Sequence, residues 1–323
     1  MAPRLLTIAL ALGLALGACR QRIVQPPETA PTAARLAELW VEPTTARDLF
    51  HGPGGRELAP DASGRFEVIA LKVGGFSEGV TVKDARNREW SVKLPPEAYT
   101  EVVASRIHWG IGYHQPPLYF VREWQAEGAT APNPQLPGRF REKNPSFHGI
   151  DEKGAWSYYE NPFVGTRQMN GLLVLQAMLG NSDLKDSNNS IYELKEPAEG
   201  ARQWYVARDI GHTFGRTGRL NAARGDIEVF EQTPFIRRID GDRVELEYSG
   251  RHRDLFANLT TADIRWLCRE LARLTDAQWR DAFRAAGYEP DTAGRFIRRL
   301  KAKIAEGLAL PEPRGEIGRE IDR

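Results

Sequence analysis

The sequence predicts an α+β fold of two lobes, in which a small β-rich lobe with one long helix precedes a larger, mainly helical lobe. Short β-branched runs separated by Gly- and Asn-containing turns occupy residues 66–94. The apolar period then changes to the 3.6 residues of a helix from Glu97 to Trp109. Beyond residue 165 most apolar segments again have helical spacing. At 323 residues, the chain is long enough for two lobes.

The composition is that of an ordinary globular protein, with 41% hydrophobic and 27% charged residues. Lysine and arginine together number 44 and the acidic residues 43, for a formal net charge of +1. Because there is no basic excess to neutralise phosphates, we expect no binding to nucleic acid.

The N-terminal residues have the pattern of an export signal. Residues 5–16 form an uncharged apolar run that is too short for a permanent membrane helix and ends shortly before Cys19. The Leu-Gly-Ala-Cys sequence over 16–19 resembles the lipobox of bacterial lipoproteins, which implies cleavage after residue 18 and lipidation of Cys19. Arg20 follows in place of an Asp, so we expect a lipid anchor in the outer membrane of the bacterial envelope, facing the periplasm. A free N-terminal helix with an incidental cysteine is the alternative.

The anchor is expected to lead through a tether into the folded part. Proline, threonine and alanine dominate residues 20–35, which cannot build a core and are typical of a linker. We assign residues 1–18 to the signal peptide and 19–60 to the anchor, tether and N-terminal extension. The second cysteine, Cys268, falls on the apolar stripe of a predicted helix and is expected to be a buried thiol without a redox role.

The small lobe is assigned to residues 61–124. Its predicted strands, its helix and the strand after the helix are 66–73, 80–82, 90–94, 97–109 and 117–121. Pro95 and Pro96 precede the helix and Gly110 ends it, which is the usual asymmetry of helix termini. The boundary at 124 follows from the loss of periodicity after about residue 127.

The second lobe, with the hinge or an insertion, is assigned to 125–310, and residues 311–323 form a polar tail. Residues 127–153 are polar and contain proline, so we expect a connector there. The predicted helices are 166–179, 264–274, 277–286 and 295–303. Thr275 and Gln278 form a capping-box pattern before the third of these helices. The five basic residues of 295–303 are expected to cover a solvated helix face.

A polar hexapeptide contains residue types that suit phosphoryl transfer. Asp183, Lys185 and Asn188 have the D-x-K-x-x-N spacing after a predicted buried helix. The carboxylate accepts or orients the attacking hydroxyl, the lysine neutralises the moving phosphoryl group, and the amide oxygen binds a metal. Taken alone, these residues are better explained by an Asp- and Asn-rich turn that caps backbone groups.

Further polar residues occur in the order that the same chemistry requires. Asp209 ends a predicted strand in an Asp-x-Gly sequence and can share a metal with Asn188. Lys93 lies within an apolar strand and needs an anionic partner. Glu101 is the expected partner and Glu97, one helical turn earlier, is the second choice.

With these residues, the chain resembles the protein-kinase-like superfamily over about residues 61–300. The resemblance implies a bilobal fold with a nucleotide and a divalent cation in the cleft between the lobes. Asn181 and Ser182 replace the usual His-Arg before the catalytic Asp, Ile210 replaces the Phe of D-F-G, and no Ala-Pro-Glu sequence follows. The chain therefore looks more like the atypical branches, namely HipA-type, spore-coat and secretory-pathway kinases.

The resemblance implies a nucleotide site in the small lobe. Glycines between the first two predicted strands, Gly74, Gly75 and Gly79, would cover the phosphates of ATP or another nucleotide. A glycine-rich hairpin is by itself a weak signal. Lys93 would hold the phosphates while paired with Glu101.

The resemblance also implies the catalytic roles in the second lobe. Asp183 would be the base that acts on a hydroxyl-bearing substrate, and Lys185 would neutralise charge. Asn188 and Asp209 would bind Mg²⁺ or Mn²⁺. The expected activity is therefore that of an envelope-anchored atypical kinase.

Two alternatives to a kinase remain open from the sequence. The first is a pseudokinase-like module that binds a nucleotide or another ligand, which the expected periplasmic location favours because no ATP pool is known there. The second is the same fold with transfer of AMP or glutamate. Arg216, Arg219 and Arg224, after Asp209, either receive an anionic group or solvate a loop. The six histidines lack the spacing of a zinc site.

Overall fold

The computed structural model describes residues 23–72, 78–128, 136–143, 149–218 and 222–312. The strands are β1 (Arg65–Leu71), β2 (Gly79–Lys83), β3 (Glu89–Lys93), β4 (Leu118–Val121), β5 (Gln125–Glu127), β6 (Gly138–Glu142), β7 (Ile150–Gly154), β8 (Asn189–Ala198), β9 (Ala201–Ala207), β10 (Ile236–Asp240) and β11 (Arg243–Leu246). The helices are α1 (Ala33–Leu36), α2 (Glu97–Gly110), α3 (Arg167–Leu179), α4 (Ile227–Gln232), α5 (Thr261–Ala272), α6 (Asp276–Arg284) and α7 (Pro290–Leu308). Short 3-10 helices cover Asp186–Asn188 and Arg253–Phe256.

The small lobe is a six-stranded sheet in the order β4-β6-β3-β2-β1-β5, antiparallel except where β5 pairs with β1. One face buries a compact apolar cluster that includes Trp90, Val92 and Phe140. Side chains alternate between the two faces of a strand, so Lys93 and Arg139, which lie opposite each other in the β3–β6 register, belong to the other face. The sheet therefore has an apolar face and a charged face.

Helix α2 connects β3 to β4 and joins the two lobes. Its apolar residues Val102, Val103 and Ile107 are completely buried in the core of the large lobe. The prolines before the helix and the end at Gly110 agree with the predicted bounds to within one residue. Because one side of α2 is anchored in the large lobe, the helix holds its other side chains at a fixed position between the lobes.

The large lobe combines a three-stranded sheet, β7-β8-β9, with the packed helices α3, α5, α6 and α7. Thr166 caps α3 by accepting from the Met169 amide, and Gly180 ends it in the left-handed conformation with φ of 78°. The predicted capping box of Thr275 and Gln278 is present at α6. This arrangement, a β-rich first lobe followed by a mainly helical second lobe, confirms the predicted α+β bilobal fold.

The segment predicted as an irregular connector differs from that prediction. Strands β5, β6 and β7 lie within or beside residues 127–153, and β6 is an inner strand of the first sheet. The sheet thus extends beyond the expected boundary at residue 124. The apolar pattern does not mark β6 as a strand, because Phe140 is its only apolar side chain. Arg139, the neighbouring residue, is fully buried although it is charged.

The N-terminal extension packs on the domain. Leu39 and Leu49 are completely or almost completely buried, and the Trp40 indole donates to the Ile111 carbonyl at 2.7 Å. Even the segment expected as a tether has contacts: the Gln25 amide donates to the Tyr159 carbonyl, and Arg35 donates to the Tyr205 hydroxyl. The expectation of a tether over residues 20–35 is therefore wrong for the part that the structure describes.

The basic helix is also more engaged than expected. Lys303 of α7 is buried and donates to the Met178 carbonyl at 2.9 Å. Arg295 forms ion pairs with Glu228 and Glu231, Arg299 donates to the Thr233 carbonyl, and Lys301 pairs with Asp276. The prediction of a simple solvated face is wrong, because these side chains attach α7 to α3, α4 and α6.

Cys268 is a free cysteine in the core of the large lobe. Cys268 is completely buried, and burial raises the pKa of its thiol to about 12, as expected of a core residue. Within the described ranges, no helix has the length and apolar character needed to cross a membrane. Cys19 and the apolar run before it lie outside the described residues.

Candidate active site

The centre of the candidate site is the ammonium group of Lys93, the last residue of β3. It lies 3.1 Å from Glu97 Oε2, 2.9 Å from Glu101 Oε2 and 3.2 Å from Asp209 Oδ1. Helix α2 begins four residues after Lys93, and its first two turns present both glutamates on one side. The structure therefore brings Lys93 together with the expected Glu101 and also with Glu97.

Two buried arginines complete this group. Arg139 of β6 lies 3.3 Å from Glu101 Oε2, and Arg224 lies 2.5 Å from Glu97 Oε1. We call Lys93, Glu97, Glu101, Arg139, Asp209 and Arg224 the Lys93 cluster. Buried charges are tolerated only when they are paired, and here each carboxylate faces at least one cation. Arg224, which we considered as a group for an anionic substrate, is an ion-pair partner of Glu97.

Asp209 stands two residues after the end of β9 and has an unusual backbone conformation. Its φ of 53° is left-handed, which is uncommon for a residue other than glycine and is enriched at functional sites. Burial alone would raise the pKa of this carboxyl, but the nearby cations, Lys93 first and then Arg141 and Arg139, hold it well below its usual value. Asp209 is therefore ionised at neutral pH.

The glycine of the Asp-x-Gly sequence has a packing role. A Cβ on Gly211 would come within 3.1 Å of Glu97 and 3.2 Å of Glu101 side-chain atoms. In addition, Thr100 of α2 donates to the Gly211 carbonyl at 2.5 Å. The absence of a side chain thus lets the segment after Asp209 lie directly against α2, which keeps its carboxylate beside Lys93.

The hexapeptide folds around the Asp183 carboxylate. Lys185 Nζ lies 2.7 Å from Asp183 Oδ2, and the Asn188 side-chain amide donates to the same oxygen at 3.3 Å and to the Asp183 carbonyl at 2.9 Å. Arg251 Nε donates to Oδ1 at 3.0 Å. The spacing of Asp183, Lys185 and Asn188 thus reflects real contacts, whereas Arg251 has no signal in the local sequence.

The residues before Asp183 fix its position from the core. Asn181 is buried, accepts from the Asp183 amide at 3.0 Å and donates to Gln176 at 2.8 Å. Gln176 in turn contacts His108 of α2 at 3.2 Å. The residues before Asp183 therefore form a buried amide network that connects the Asp183 loop to the same helix that carries Glu97 and Glu101.

Two observations relate Asp183 to the Lys93 cluster. Burial lowers the pKa of the Arg224 guanidinium, while Glu97 and, more weakly, Asp183 act in the opposite direction, so Arg224 lies near both carboxylates. Asn189, the first residue of β8, pairs with Ala207, the last residue of β9. The residues before Asn189 and those after Ala207 therefore lie at the same open end of the β8–β9 hairpin. Asn188 and Asp209 thus flank one end of the large lobe's sheet.

The predicted metal pair, Asn188 and Asp209, remains a prediction. In the described part of the chain, no group of three or more His, Cys, Asp and Glu side chains is arranged to hold a metal. A carboxylate, an amide oxygen and the phosphates of a nucleotide are nevertheless a donor set that suits Mg²⁺, which usually keeps few protein ligands. The ionised Asp209, with 30% of its side chain exposed, fits this use.

The expected phosphate-binding glycines are only partly described. Gly74 and Gly75 lie outside the described residues. Gly79 begins β2 opposite Lys93, and a Cβ at this position would lie 2.5 Å from the Val92 carbonyl oxygen. A glycine is therefore required here for β2 to pack against β3. Lys72, just before residues 73–77 that the structure does not describe, was not predicted. Burial and then the proximity of Lys93 lower its pKa, which places it beside the cluster.

Comparisons with known proteins add little to this geometry. No family model and no curated protein matches the sequence. Among solved structures, the crystal structure of a proinflammatory kinase of Helicobacter pylori, CtkA, is similar with a TM-score of 0.33 and 11% sequence identity. The match covers 71% of this chain and 94% of that chain. A likeness at this level assigns no role to any residue.

Proposed function

We propose that this chain is an atypical kinase anchored to the bacterial envelope, which transfers the terminal phosphoryl group of Mg-ATP to a hydroxyl group. The observation that carries the proposal is the contact of Lys93 with Glu97, Glu101 and Asp209 at one point between the lobes. A buried lysine with a purely structural role needs only one carboxylate partner. A lysine that contacts carboxylates of both lobes is placed where it can position phosphates for transfer.

The residues of the small lobe bind the nucleotide in this proposal. Lys93 holds the phosphates, and Glu97 and Glu101 hold Lys93. Burial lowers the pKa of Lys93, but the three carboxylates, Glu101 first, outweigh this effect and raise it, so the side chain remains a cation. Lys72 supplies a second positive charge, a short distance along the chain before Gly74 and Gly75.

The residues of the large lobe act on the transferred group. Asp209 and Asn188 hold Mg²⁺ or Mn²⁺, which when bound neutralises the charge of the phosphates. Asp183 orients the attacking hydroxyl and accepts its proton. Lys185, whose ammonium is 2.7 Å from Asp183, stands beside the transferred group and compensates its charge.

A second candidate is a pseudokinase-like binding module. The observation that favours it is the pairing of Asp183: Lys185 and Arg251 contact different oxygens of its carboxylate. Both carboxylate oxygens of Asp183 are thus occupied by cations, so a substrate hydroxyl would have to displace one of these contacts. In this reading the nucleotide or another ligand binds without turnover.

The test uses the purified protein and measures nucleotide binding and transfer separately. We expect ATP with Mg²⁺ or Mn²⁺ to raise the melting temperature, and Asp209→Asn to remove the metal-dependent part. Mass spectrometry of the protein after incubation with ATP and glutamate distinguishes an added phosphoryl, AMP or glutamyl group. Ligand binding without any transfer would favour the binding module. If no nucleotide changes the melting temperature in the presence of either metal, the kinase and a nucleotide-binding module are both wrong.

A further inference from the structure

A second cavity lies on the other side of helix α2. It has a volume of about 650 Å³ and is lined by Arg106 together with Tyr119 and Val121 of β4 and with Phe50, Pro60 and Ala62 from the segment before β1. None of the Lys93 cluster lines it. Arg106 follows Glu97 by about two and a half helical turns, which places the two side chains on opposite sides of α2.

The floor of this cavity contains a buried cation. Arg106 is 1% exposed, and its Nη2 donates to the Leu118 carbonyl at 2.8 Å. Its Nε and Nη1 are buried and have no hydrogen-bond partner among the described residues. Burial lowers the pKa of the guanidinium to about 10, so the group still carries its charge at neutral pH.

No acidic side chain of the described residues forms an ion pair with Arg106. Asp48 is near enough to favour its charged form, but the Asp48 carboxylate is occupied by the His51 ring at 2.7 Å and by the Phe50 amide at 2.9 Å. A buried cation with unsatisfied donors is costly, and such groups are kept where an anion satisfies them. Tyr119, whose ring centroid is 6.0 Å away, offers only a weak cation–π contact.

The rim of the cavity has the charge that attracts an anion. Arg56 and Arg122 are exposed and both line it, whereas Glu123 is the one acidic residue that the described lining contains. The Arg122 guanidinium is 61% exposed and lies 3.6 Å from Glu289, an exposed contact that competes weakly with a ligand. The rim and the floor therefore both favour a negative group.

The walls between floor and rim are largely apolar. Phe50, Pro60, Phe120, Val121 and Ala285 form them, and the volume falls within the range of small-molecule sites. We propose that this cavity binds an organic anion, with a single carboxylate or phosphate head held by Arg106 and an apolar body against these walls. This proposal is independent of the proposed phosphoryl transfer, because it uses none of the same residues.

Gly52 packs against the guanidinium of Arg106. Gly52 has a φ of +76°, and a Cβ built on it would lie 2.1 Å from Arg106 Nη1. The Gly52 backbone can pack against the guanidinium only because no side chain is present, and this contact holds the Arg106 head in place before a ligand enters. Preorganisation of this kind reduces the entropic cost of binding.

The experiment measures binding of two probes to the purified protein by calorimetry. Octyl phosphate and octanoate carry the two possible head groups, and octanol has the same apolar body without a charge. We expect at least one of the anions to bind, and octanol to bind at least tenfold more weakly. Arg106→Gln should remove the preference for the anion over octanol. The matched control is Arg65→Gln, which removes an exposed arginine of β1 that does not line the cavity.

A second variant tests the proposal even where Arg106→Gln fails to fold. Ala62 is exposed on the rim, so Ala62→Trp fills the entrance without disturbing the core, and it should abolish binding of the anion while the melting temperature stays unchanged. Binding that survives in both variants overturns the proposal. The same holds if neither anion binds the unaltered protein, or if octanol binds as tightly as the anions.

Discussion

The Lys93 ammonium lies 3.2 Å from the Asp209 carboxylate, which connects the end of a strand in the small lobe to the segment after β9 in the large lobe. The same ammonium contacts Glu97 and Glu101 of α2, a helix that is anchored in the core of the large lobe. One side chain thus determines the relative positions of a strand, a helix and a loop. Any ligand that enters this point must exchange contacts with charges that are already paired.

The first prediction concerns the stability of this cluster. We expect Lys93→Met to lower the free energy of unfolding by about 3–5 kcal/mol, because removal of one partner leaves buried carboxylates without their shared cation. Methionine keeps the apolar length of the side chain, so the loss reports the charge and not a cavity. Urea unfolding, followed by circular dichroism, measures the difference.

The control for this prediction is an exposed lysine that directly follows β6 of the same sheet. Lys143 lies 3.8 Å from Glu89 and 45% of its side chain is exposed, so Lys143→Met should change the free energy of unfolding by no more than about 0.5 kcal/mol. If the Lys93 variant loses less than about 1 kcal/mol, the three contacts of its ammonium do not stabilise the fold.

The second prediction separates catalysis from folding at Asp183. Its side chain is 27% exposed and its partners Lys185 and Arg251 are more exposed, so Asp183→Asn should cost no more than about 1 kcal/mol of stability. Because a general base typically contributes a factor of about 10²–10⁴, transfer should fall at least about 100-fold. Binding of the nucleotide, measured as its shift of the melting temperature, should remain.

Asp186 is the matched control in the same loop. Its carboxylate accepts from the Tyr158 amide at 3.3 Å, and our proposal gives it no part in transfer. Asp186→Asn should therefore retain transfer. Equal transfer by the Asp183 variant and the unaltered protein would contradict the role of Asp183 as base.

The strands and helices with apolar periodicity could be predicted from the sequence. Helix α2 was placed within one residue because its proline start and its glycine end are local signals. Strand β6 was missed because its buried Arg139 looks like a surface residue in a hydrophobicity pattern. The burial of Arg139 depends on Glu101, which belongs to a different element, and no local rule describes such a partner.

The candidate site shows the same division between local and distant contacts. Lys93, Glu97 and Glu101 fall within nine positions, so strand and helix geometry alone brought them together. Arg251 reaches Asp183 across 68 positions, through a loop after β11 that carries no periodic signal. The partners within one supersecondary unit were therefore predictable, whereas Arg139, Arg224 and Arg251 required the tertiary fold.

The third prediction tests the envelope anchor. When the full chain is expressed in a bacterial host with an outer membrane, labelling with a radioactive fatty acid should mark the protein, and it should sediment with membranes. Cys19→Ser should lose the label and the membrane association, because the lipidated thiol is absent. Cys268→Ser is the control, since its thiol is completely buried. Labelling that survives Cys19→Ser would show that the lipobox interpretation is wrong.

The fourth prediction concerns the pH dependence of stability that Lys303 introduces. Burial, with a smaller effect of Arg299, lowers the pKa of its ammonium to about 7 from the value of 10.5 that applies to an exposed lysine. Between these two values the unfolded chain binds more protons than the folded one, so the free energy of unfolding rises with pH across this window. Below pH 7 both states are protonated and the folded state bears the full cost of the buried charge.

We therefore expect the free energy of unfolding to rise between pH 7 and pH 10 by up to about 1.4 kcal/mol per unit more in the unaltered protein than in Lys303→Met. The Phe230 ring, 3.8 Å from Nζ, and the Met178 carbonyl favour the charged form and reduce this slope. Lys301→Met, two positions away on the exposed side of α7, should retain the slope of the unaltered protein. Urea unfolding at several pH values measures all three, and equal slopes would mean that Lys303 titrates as an exposed lysine does.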